Sequence, residues 1–393
     1  MDRFLFKMRI LVLSFYYSPD IGPASLRAKS VVDALVNEGQ ADIEIDVITS
    51  MPNRYHSLKI PALNFEKLNK VCINRVNLPR HKSGMFDQAK SFISFSFKVL
   101  KLTRGKKWDI VFVTSSRLMT ASLGALVAKK NGSKFYLDIR DLFVDTIRDI
   151  LKKNFLLFLI PLFQYLEKWT FGLADKVNLV SGGFLDYFKK INPNIKPSFF
   201  PNGIDEVFET KKPENNNSKP IILYAGNIGE GQGLHKIIPY IAKQMKNVNF
   251  RIIGDGSAIK LLKNNKILKS LSNVEILNPV LRKELILEYQ KADILFLHLN
   301  DLKAFHKVLP SKIFEYAATG KPILAGVSGY AAEFLNKQVD GVQIFNPCDE
   351  AAMKLGLNKL LNGPKIINRS DFCRRFKRKK IMENLAKDVL SLI

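Results

Sequence analysis

Two segments of the chain contain residues whose types and spacing suit the binding of a diphosphate. The first, residues 221–233, is a predicted buried strand followed by a loop with the glycines Gly226, Gly229, Gly231 and Gly233. The second, residues 310–322, is a predicted helix that carries Lys312 and Glu315 one turn apart. Glycine amides and a helix N-terminus bind phosphate. On one helix face, an ammonium adds positive charge for the phosphate and a carboxylate accepts hydrogen bonds from ribose hydroxyls. These residue types predict a site for a sugar-bearing nucleotide diphosphate.

The elements that position these residues alternate between apolar strands and helices along the whole chain. This alternation predicts parallel sheets covered by helices on both faces. The predicted strands of the first half are residues 9–15, 43–49, 109–113, 134–138 and 176–180. Those of the second half are residues 220–225, 248–254, 274–277, 293–297 and 322–325. Predicted helices lie between the strands and include residues 24–37 and 118–130.

A turn cluster at residues 201–205 and a polar stretch at residues 211–218 separate the two halves. We therefore predict an α/β protein of two doubly wound, Rossmann-like domains. The expected boundaries are residues 1–205 for the first domain, 206–371 for the second, and 372–393 for a terminal helix that packs back across the junction. Ligands of such sheets bind outside the carboxyl ends of the strands, so we expect the site in the cleft between the domains.

Charge and cysteine content restrict the class of protein and its location. The 393 residues include 61 Lys and Arg against 36 Asp and Glu, a formal charge of +25 that attracts nucleic acid, anionic lipid or diphosphate-bearing substrates. The three cysteines lie far apart, which favours reduced thiols over disulfides or zinc ligands. No signal peptide is recognisable, and the apolar run at residues 155–163 is about half the length that spans a bilayer. We expect a cytoplasmic protein that is at most peripheral to a membrane.

Five short segments, residues 16–22, 137–142, 201–205, 224–229 and 310–322, together resemble GT-B glycosyltransferases of family 4. The resemblance covers nearly the whole chain and is greatest to bacterial O-antigen and capsule transferases that handle N-acetylated deoxyhexoses such as L-FucNAc. It implies an acceptor-binding first domain and a nucleotide-sugar-binding second domain. It also implies transfer from a UDP-linked donor to a polyprenyl-diphosphate-linked saccharide, with retention of anomeric configuration and no cofactor beyond the donor.

The family's usual carboxylate pair is only half present. Glu315 matches its second member, which the resemblance assigns to the ribose hydroxyls, whereas Lys307 stands at the position of the first. Asn227 and Gln232 lie in the region where the family has a phosphate-binding Arg and Lys. We therefore expect Lys312 to supply the positive charge that stabilises the departing diphosphate.

Four other positions are candidates. Gly22 precedes a predicted helix and is either an approach for a diphosphate or an ordinary helix start; Gly254 either lines the base or forms a strand-end turn. Asp141, close to Asp138 and Arg140, either activates the acceptor hydroxyl or belongs to a structural Arg–Asp pair. His306 is a candidate contact to the sugar or phosphate.

The predicted sites are then as follows, with no metal expected because the chain lacks Asp-x-Asp and any His/Cys cluster. The catalytic residues are Lys312, Asp141 and His306. The donor-binding residues are Gly22, Asn227, Gly229, Gly254, Lys312 and Glu315.

Basic and aromatic residues alternate in the first domain, which predicts either a surface that lies on anionic lipid or a buried helix with solvated ends. The basic residues are Arg80, Lys82, Lys90, Lys98, Lys101, Arg104, Lys106 and Lys107, interleaved with Phe86, Phe92, Phe95 and Phe97. The apolar residues 155–163, flanked by Lys152, Lys153 and Lys168, extend this pattern.

Two other functions stay open on the sequence alone. A nucleotide-sugar epimerase uses a similar fold and would act without an acceptor. A nucleic-acid-binding protein would explain the charge, and it would show salt-dependent binding to nucleic acid with no affinity for nucleotide sugars. The glycine loop with Glu315 favours the transferase, so we expect no nucleic-acid partner.

Overall fold

The computed structural model describes residues 7–39, 43–53, 60–79, 85–151, 155–208 and 217–393. The chain forms two compact units. Unit 1 comprises Met1–Asn202 together with Lys379–Ile393, and unit 2 comprises Gly203–Arg378.

Unit 1 contains a seven-stranded sheet with helices between the strands. The strands are β1 (Met8–Leu13), β2 (Ile43–Ser50), β3 (Phe65–Leu68), β4 (Val71–Val76), β5 (Ile110–Ser115), β6 (Lys134–Ile139) and β7 (Lys176–Leu179). The helices are α1 (Pro23–Glu38), α2 (Met85–Thr103), α3 (Leu118–Asn131), α4 (Phe143–Leu151), α5 (Ile160–Gly172) and α6 (Leu185–Ile191), with 3-10 turns at Phe155–Leu159 and Gly182–Phe184. The strand order is β3-β4-β2-β1-β5-β6-β7.

The central strands of unit 1 are parallel and buried on both faces, as their continuous apolar sequences predict. All six residues of β5 are buried, for example. Among the described strands of this sheet, β3 alone runs antiparallel, against β4 at the edge of the sheet. The sequence did not predict this edge pair, because β3 is four residues long and carries no apolar run.

Unit 2 contains a six-stranded, wholly parallel sheet in the order β10-β9-β8-β11-β12-β13. The strands are β8 (Ile221–Asn227), β9 (Asn249–Asp255), β10 (Val274–Leu277), β11 (Ile294–His298), β12 (Ile323–Gly326) and β13 (Val342–Phe345). The helices are α7 (Leu234–Gln244), α8 (Ile259–Lys263), α9 (Lys266–Lys269), α10 (Arg282–Lys291), α11 (Lys312–Ala318), α12 (Tyr330–Gln338), α13 (Glu350–Leu361) and α14 (Ser370–Arg375), with 3-10 turns at Glu206–Phe208 and Lys303–Lys307. Apolar clusters cover both faces of this sheet.

The last helix, α15 (Arg378–Leu390), belongs almost entirely to unit 1. Its Asp388 accepts hydrogen bonds from Tyr136 Oη at 2.7 Å and Ser198 Oγ at 2.8 Å, and from Lys176 Nζ at 3.0 Å. Leu385 and other apolar residues on the same helix are buried. Residues far apart in sequence therefore complete the fold of unit 1.

All ten predicted strands are present, with ends that differ from the prediction by at most two residues. The prediction of two doubly wound α/β domains is confirmed by the sheet orders of both units. The boundary at Asn202 and Gly203 lies three residues before the predicted one, and residues 211–216 of the polar stretch lie outside the described residues.

Candidate active site

Each sheet has one point at which the direction of winding reverses. In unit 1 it lies between β1 and β5, and in unit 2 between β8 and β11, because the first strand of each unit has later strands on both sides. Ligands of doubly wound sheets bind outside the carboxyl ends of the strands at such switch points. We therefore expect the predicted diphosphate site at the loops after β8 and β11.

The ends of β8 and β9 approach each other too closely for side chains. Gly226 and Gly254 both have positive φ, 148° and 150°, and a Cβ at Gly254 would overlap the carbonyl oxygen of Gly226. This packing gives Gly254 a structural reason to be glycine, apart from any contact with a base.

The ammonium of Lys312 occupies the space beside Gly226. A Cβ at Gly226 would overlap Lys312 Nζ, which also lies 5.1 Å from the ring centroid of Tyr224. Tyr224 is buried in the sheet and donates from its hydroxyl to Asn227 O at 2.6 Å. The structure thus brings together the two segments selected from the sequence, with a cation at the carboxyl end of β8.

Glu315 lies one turn further along α11 and is 9% exposed. Its Oε2 accepts a hydrogen bond from the hydroxyl of Tyr289 at 3.2 Å, and that ring packs edge-on against Tyr316. The Tyr289 hydroxyl therefore orients the carboxylate, and an oriented carboxylate is suited to accept hydrogen bonds from the hydroxyls of a ligand.

Two buried residues at the carboxyl end of β11, His298 and Asn300, hold the glycine loop, and the sequence did not single them out for this purpose. The backbone N–H of Asn300 donates to Gly231 O at 2.9 Å, and its side-chain amide donates to Glu230 O at 2.9 Å. His298 Nδ1 lies 2.6 Å from Gln232 O. Three consecutive carbonyls of the loop are thereby bonded to the end of β11.

His298 is in its neutral form with the proton on Nδ1. Its Nε2 accepts a hydrogen bond from the backbone N–H of Cys348 at 3.0 Å, so Nδ1 is the donor to Gln232 O. Burial lowers the pKa of His298 to about 4, because a charged imidazolium would lose its hydration there. A neutral side chain rather than an ion pair fixes the loop.

The fixed carbonyls determine which amides remain available in the loop. The N–H groups of Gln232 and Gly233 donate to Gly229 O, and that of Gly229 donates to Gln232 Oε1. Among the described residues, the N–H groups of Glu230 and Gly231 have no hydrogen-bond acceptor. These two amides, close to the end of β8, are the donors that the loop can offer to an anion.

Hydrogen bonds within this loop join Asn227, Gly229 and Gln232. Asn227 Nδ2 donates to Gln232 Oε1 at 2.7 Å, the same atom that accepts from the N–H of Gly229. Asn227 and Gln232 therefore stabilise the loop backbone in this structure.

His306 lies on the 3-10 turn after β11, at the surface. Its Nε2 is 3.1 Å from Asp301 Oδ1, and its side chain is 42% exposed. The neighbouring Phe305 packs against Gly231, so His306 belongs to a segment that contacts the glycine loop.

In unit 1, Asp138 belongs to an Arg–Asp pair, and its partner is Arg27. Asp138 is fully buried and forms a bidentate pair with Arg27, at 2.7 and 2.8 Å, and it also accepts from Thr114 and Asn178. The Arg27 guanidinium also helps to hold the pKa of Asp138 below its usual value, against the opposing effect of burial. Asp138 is thus a structural residue.

Asp141 is half-buried in the loop before α4, and Gly22 is the residue before α1 with a φ of 147°. Neither lies in unit 2 with the other predicted site residues. Among the described residues, no group of three or more His, Cys, Asp or Glu side chains is placed to hold a metal ion.

Comparison with known proteins places this geometry in a wider context. Residues 205–380 match the family model for Glycosyl transferases group 1. Over its whole length the chain superimposes on HepE of Anabaena, solved with UDP and glucose, with a TM-score of 0.67, 14% identity and coverage of 98% of this chain and 100% of HepE. The fold is GT-B.

Two other relatives are named for polysaccharide synthesis. WcaI of Escherichia coli K12, named as a colanic acid biosynthesis glycosyl transferase, is 26% identical over 344 residues, which cover 80% of this chain and 82% of WcaI. WaaG, a glycosyltransferase involved in lipopolysaccharide biosynthesis, superimposes with a TM-score of 0.62 at 14% identity, covering 96% of this chain and 95% of WaaG. These comparisons support a glycosyltransferase.

Proposed function

We propose that this protein transfers a sugar from a nucleotide diphosphate donor to a hydroxyl of an acceptor. The observation that carries the proposal is the position of Lys312 Nζ beside Gly226, at the switch point of unit 2 and on the same helix as the fixed carboxylate of Glu315. A cation, two available loop amides and a carboxylate at one edge of the sheet match the diphosphate and ribose of such a donor.

In this proposal Lys312 and the amides of Glu230 and Gly231 stabilise the negative charge that develops on the diphosphate as it departs. Donors that are fixed before the reaction stabilise a developing charge without reorganisation, which makes this the main catalytic contribution. Glu315 accepts hydrogen bonds from the ribose hydroxyls. Asn227, Gly229 and Gly254 shape the donor site through the loop backbone.

We propose further roles for Gly22 and Asp141 in unit 1 and for His306 in unit 2. Gly22 leaves room for a diphosphate at the start of α1, and Asp141 accepts the proton of the acceptor hydroxyl. His306 contacts the sugar or phosphate from the segment that packs on the glycine loop. Because Lys312 and backbone amides supply positive charge, we propose that the reaction needs no metal ion.

We propose a UDP-linked donor carrying an N-acetylated deoxyhexose such as L-FucNAc, and a polyprenyl-diphosphate-linked saccharide as acceptor. The UDP complex of HepE supports the nucleotide, and the names of WcaI and WaaG support a place in O-antigen or capsule synthesis.

A lipid-linked acceptor requires access to a membrane surface, and unit 1 carries suitable residues. Phe97 on α2 is 71% exposed and Ile93 is 55% exposed, beside the exposed Lys101 and Arg104, whereas Phe95 is in the core. In the apolar segment at 155–163, Phe158 and Leu162 are also exposed. None of the helices in the described ranges is long and apolar enough to cross a membrane. We propose peripheral association with the cytoplasmic face.

Arg80, Lys82, Lys152 and Lys153 of the predicted basic surface lie outside the described residues. Lys98 has a second role, because its ammonium donates to Asn77 O at 2.6 Å. The basic residues that remain for contact with anionic lipid are Lys90, Lys101, Arg104, Lys106, Lys107 and Lys168.

Titration of the full chain with UDP, GDP, dTDP and their sugar derivatives tests the donor proposal directly. We expect UDP and UDP-N-acetyl-deoxyhexoses to bind most tightly, and turnover to require a prenyl-diphosphate-linked saccharide. Binding to nucleic acid with no affinity for any nucleotide sugar would overturn the proposal, as would epimerisation of a bound donor in the absence of acceptor.

A further inference from the structure

Arg117 lies at the switch point of unit 1, between β1 and β5. Arg117 lies in the short loop between β5 and α3, next to Phe15 and Tyr16 in the loop after β1. These loops follow the carboxyl ends of the two central strands, where a doubly wound sheet binds its ligand.

Two aromatic rings hold the guanidinium of Arg117. Its Cζ lies 4.3 Å from the ring centroid of Phe15 and 5.2 Å from that of Tyr16. Its Nη2 donates to Tyr16 Oη at 2.6 Å. Both rings are buried, at 4% and 9% exposure, so they form a rigid platform. Stacking on an aromatic face leaves the N–H donors at the edge of a guanidinium directed outward.

The backbone of Arg117 is fixed as well. Ser115 Oγ accepts from the N–H of Arg117 at 2.8 Å and donates to its carbonyl at 2.7 Å, and Ser115 is itself buried. The side chain and the main chain of Arg117 are therefore both positioned before any ligand arrives.

Two other arginines with buried side chains in unit 1 pair with carboxylates. Arg27 pairs with Asp138, and Arg75 pairs with Glu66 at 2.7 Å. For Arg117, the described residues place no Asp or Glu oxygen within the 4.0 Å of a salt bridge. A guanidinium that is positioned, half-buried and without a protein anion is suited to bind an anion from a ligand, and its planar fork matches phosphate.

We propose that Arg117 binds the diphosphate group of a substrate at the β1/β5 switch point, with Tyr16 as the residue that orients it. The inference rests on the proposed function, since a sugar transfer to a lipid-linked acceptor involves two diphosphates. One belongs to the prenyl-diphosphate acceptor and the other to the nucleotide-sugar donor, and the shared chemistry is a bidentate guanidinium–phosphate contact.

Calorimetric titration of the full chain with farnesyl diphosphate, farnesol and UDP tests this proposal. Arg117→Gln should weaken binding of one of the two diphosphates by roughly ten- to a hundredfold, because a hydrogen bond to a charged group is lost. Arg117→Lys should recover part of the affinity, since a point charge replaces the fork. Lys130→Gln, at the exposed far end of α3, removes the same charge and should change neither affinity.

Tyr16→Phe provides a second variant that keeps the ring and the charge and removes only the hydroxyl that orients Nη2. We expect a smaller loss in the same direction for the same ligand. A loss confined to farnesyl diphosphate assigns Arg117 to the acceptor, and a loss confined to UDP assigns it to the donor.

Unchanged affinity for both diphosphates in Arg117→Gln would overturn the inference while leaving the proposed function intact, provided the wild-type chain binds UDP. Failure of the wild-type chain to bind any nucleotide diphosphate would instead overturn the proposed function.

Discussion

The two switch points of this protein present different chemical groups to a ligand. In unit 2, the neutral side chains of Asn300 and His298 hold loop carbonyls at the end of β11, which leaves backbone amides and the ammonium of Lys312. In unit 1, an arginine stacked on two aromatic rings takes the corresponding place. In the roles proposed above, backbone amides and Lys312 bind a diphosphate in unit 2, whereas a side chain held by aromatic rings binds one in unit 1.

The units also differ at their surfaces. Unit 1 carries exposed apolar side chains next to exposed basic ones on α2, and we assign to it the contact with membrane. Unit 2 carries the cation and carboxylate that we assign to the donor. Separate loss of membrane binding and donor binding is the clearest test of this division.

The largest effect is expected on membrane binding. Replacing Lys101, Arg104, Lys106 and Lys107 by Glu should lower the affinity for phosphatidylglycerol vesicles by roughly a thousandfold or more, because each basic residue near an anionic surface contributes about 1 kcal/mol. Flotation over a range of lipid concentrations measures this affinity. Affinity for UDP should not change. The matched control replaces the exposed Lys129, Lys130, Lys189 and Lys190 of the same unit by Glu. Equal losses in both variants would show that net charge, not this surface, binds the membrane.

Lys312→Ala should lower turnover by about a hundred- to a thousandfold, the usual cost of removing a group that stabilises a developing negative charge. Thermal stability should change little, because the ammonium lies beside the glycine loop rather than in the apolar core. Lys312→Arg should recover only part of the activity. Lys359→Ala, an exposed lysine on α13, is the control. Full turnover in Lys312→Ala would mean that another cation holds the diphosphate.

The stability of the protein should depend on His298 at acid pH. The pKa of His298 is about 4 in the folded chain and 6.5 in the unfolded chain, so the unfolded chain binds more protons between these values. The resulting stability is complete above pH 6.5 and falls by about 3 kcal/mol as the pH is lowered to 4. Urea unfolding of wild type and His298→Asn over this range measures the difference. Identical slopes would contradict the assignment of a neutral, buried imidazole.

Glu315→Ala should weaken UDP binding by roughly ten- to a hundredfold through loss of the ribose hydrogen bonds. The same variant should bind 2′,3′-dideoxy-UDP no more weakly than wild type does, since that ligand lacks the hydroxyls. Tyr289→Phe removes the partner of Glu315 but keeps its charge, which separates orientation from recognition. Equal losses for both ligands in Glu315→Ala would indicate a structural role.

The smallest effect is expected from removal of metal ions. Turnover should be unchanged after treatment with EDTA, because Lys312 and the loop amides take the electrostatic role of a metal. Lost activity that magnesium or manganese restores would show that protein groups do not suffice in unit 2.

Much of the fold could be predicted from local sequence. Ten of the thirteen described strands were located, because most of them are apolar stretches followed by a helix and the central ones, such as β5 and β11, are buried along their whole length. The edge strand β3 was missed because it has no apolar run, and β4 was missed because polar residues interrupt its apolar ones. The edge strand β13, in which one residue is buried, was missed as well. Short or exposed strands depend on their neighbours more than on their own residues.

The sequence by itself determined the two winding patterns, the glycine loop and the Lys312–Glu315 helix, because each follows from spacing within a few residues. Only the tertiary structure decided which distant groups meet. It paired Asp138 with Arg27, 111 residues away, instead of Arg140, and it joined His298 to both Gln232 and Cys348. It also placed Arg117 on Phe15 and Tyr16. The physical reason is that parallel strands distant in sequence end side by side, so their loops form one surface that no local pattern records.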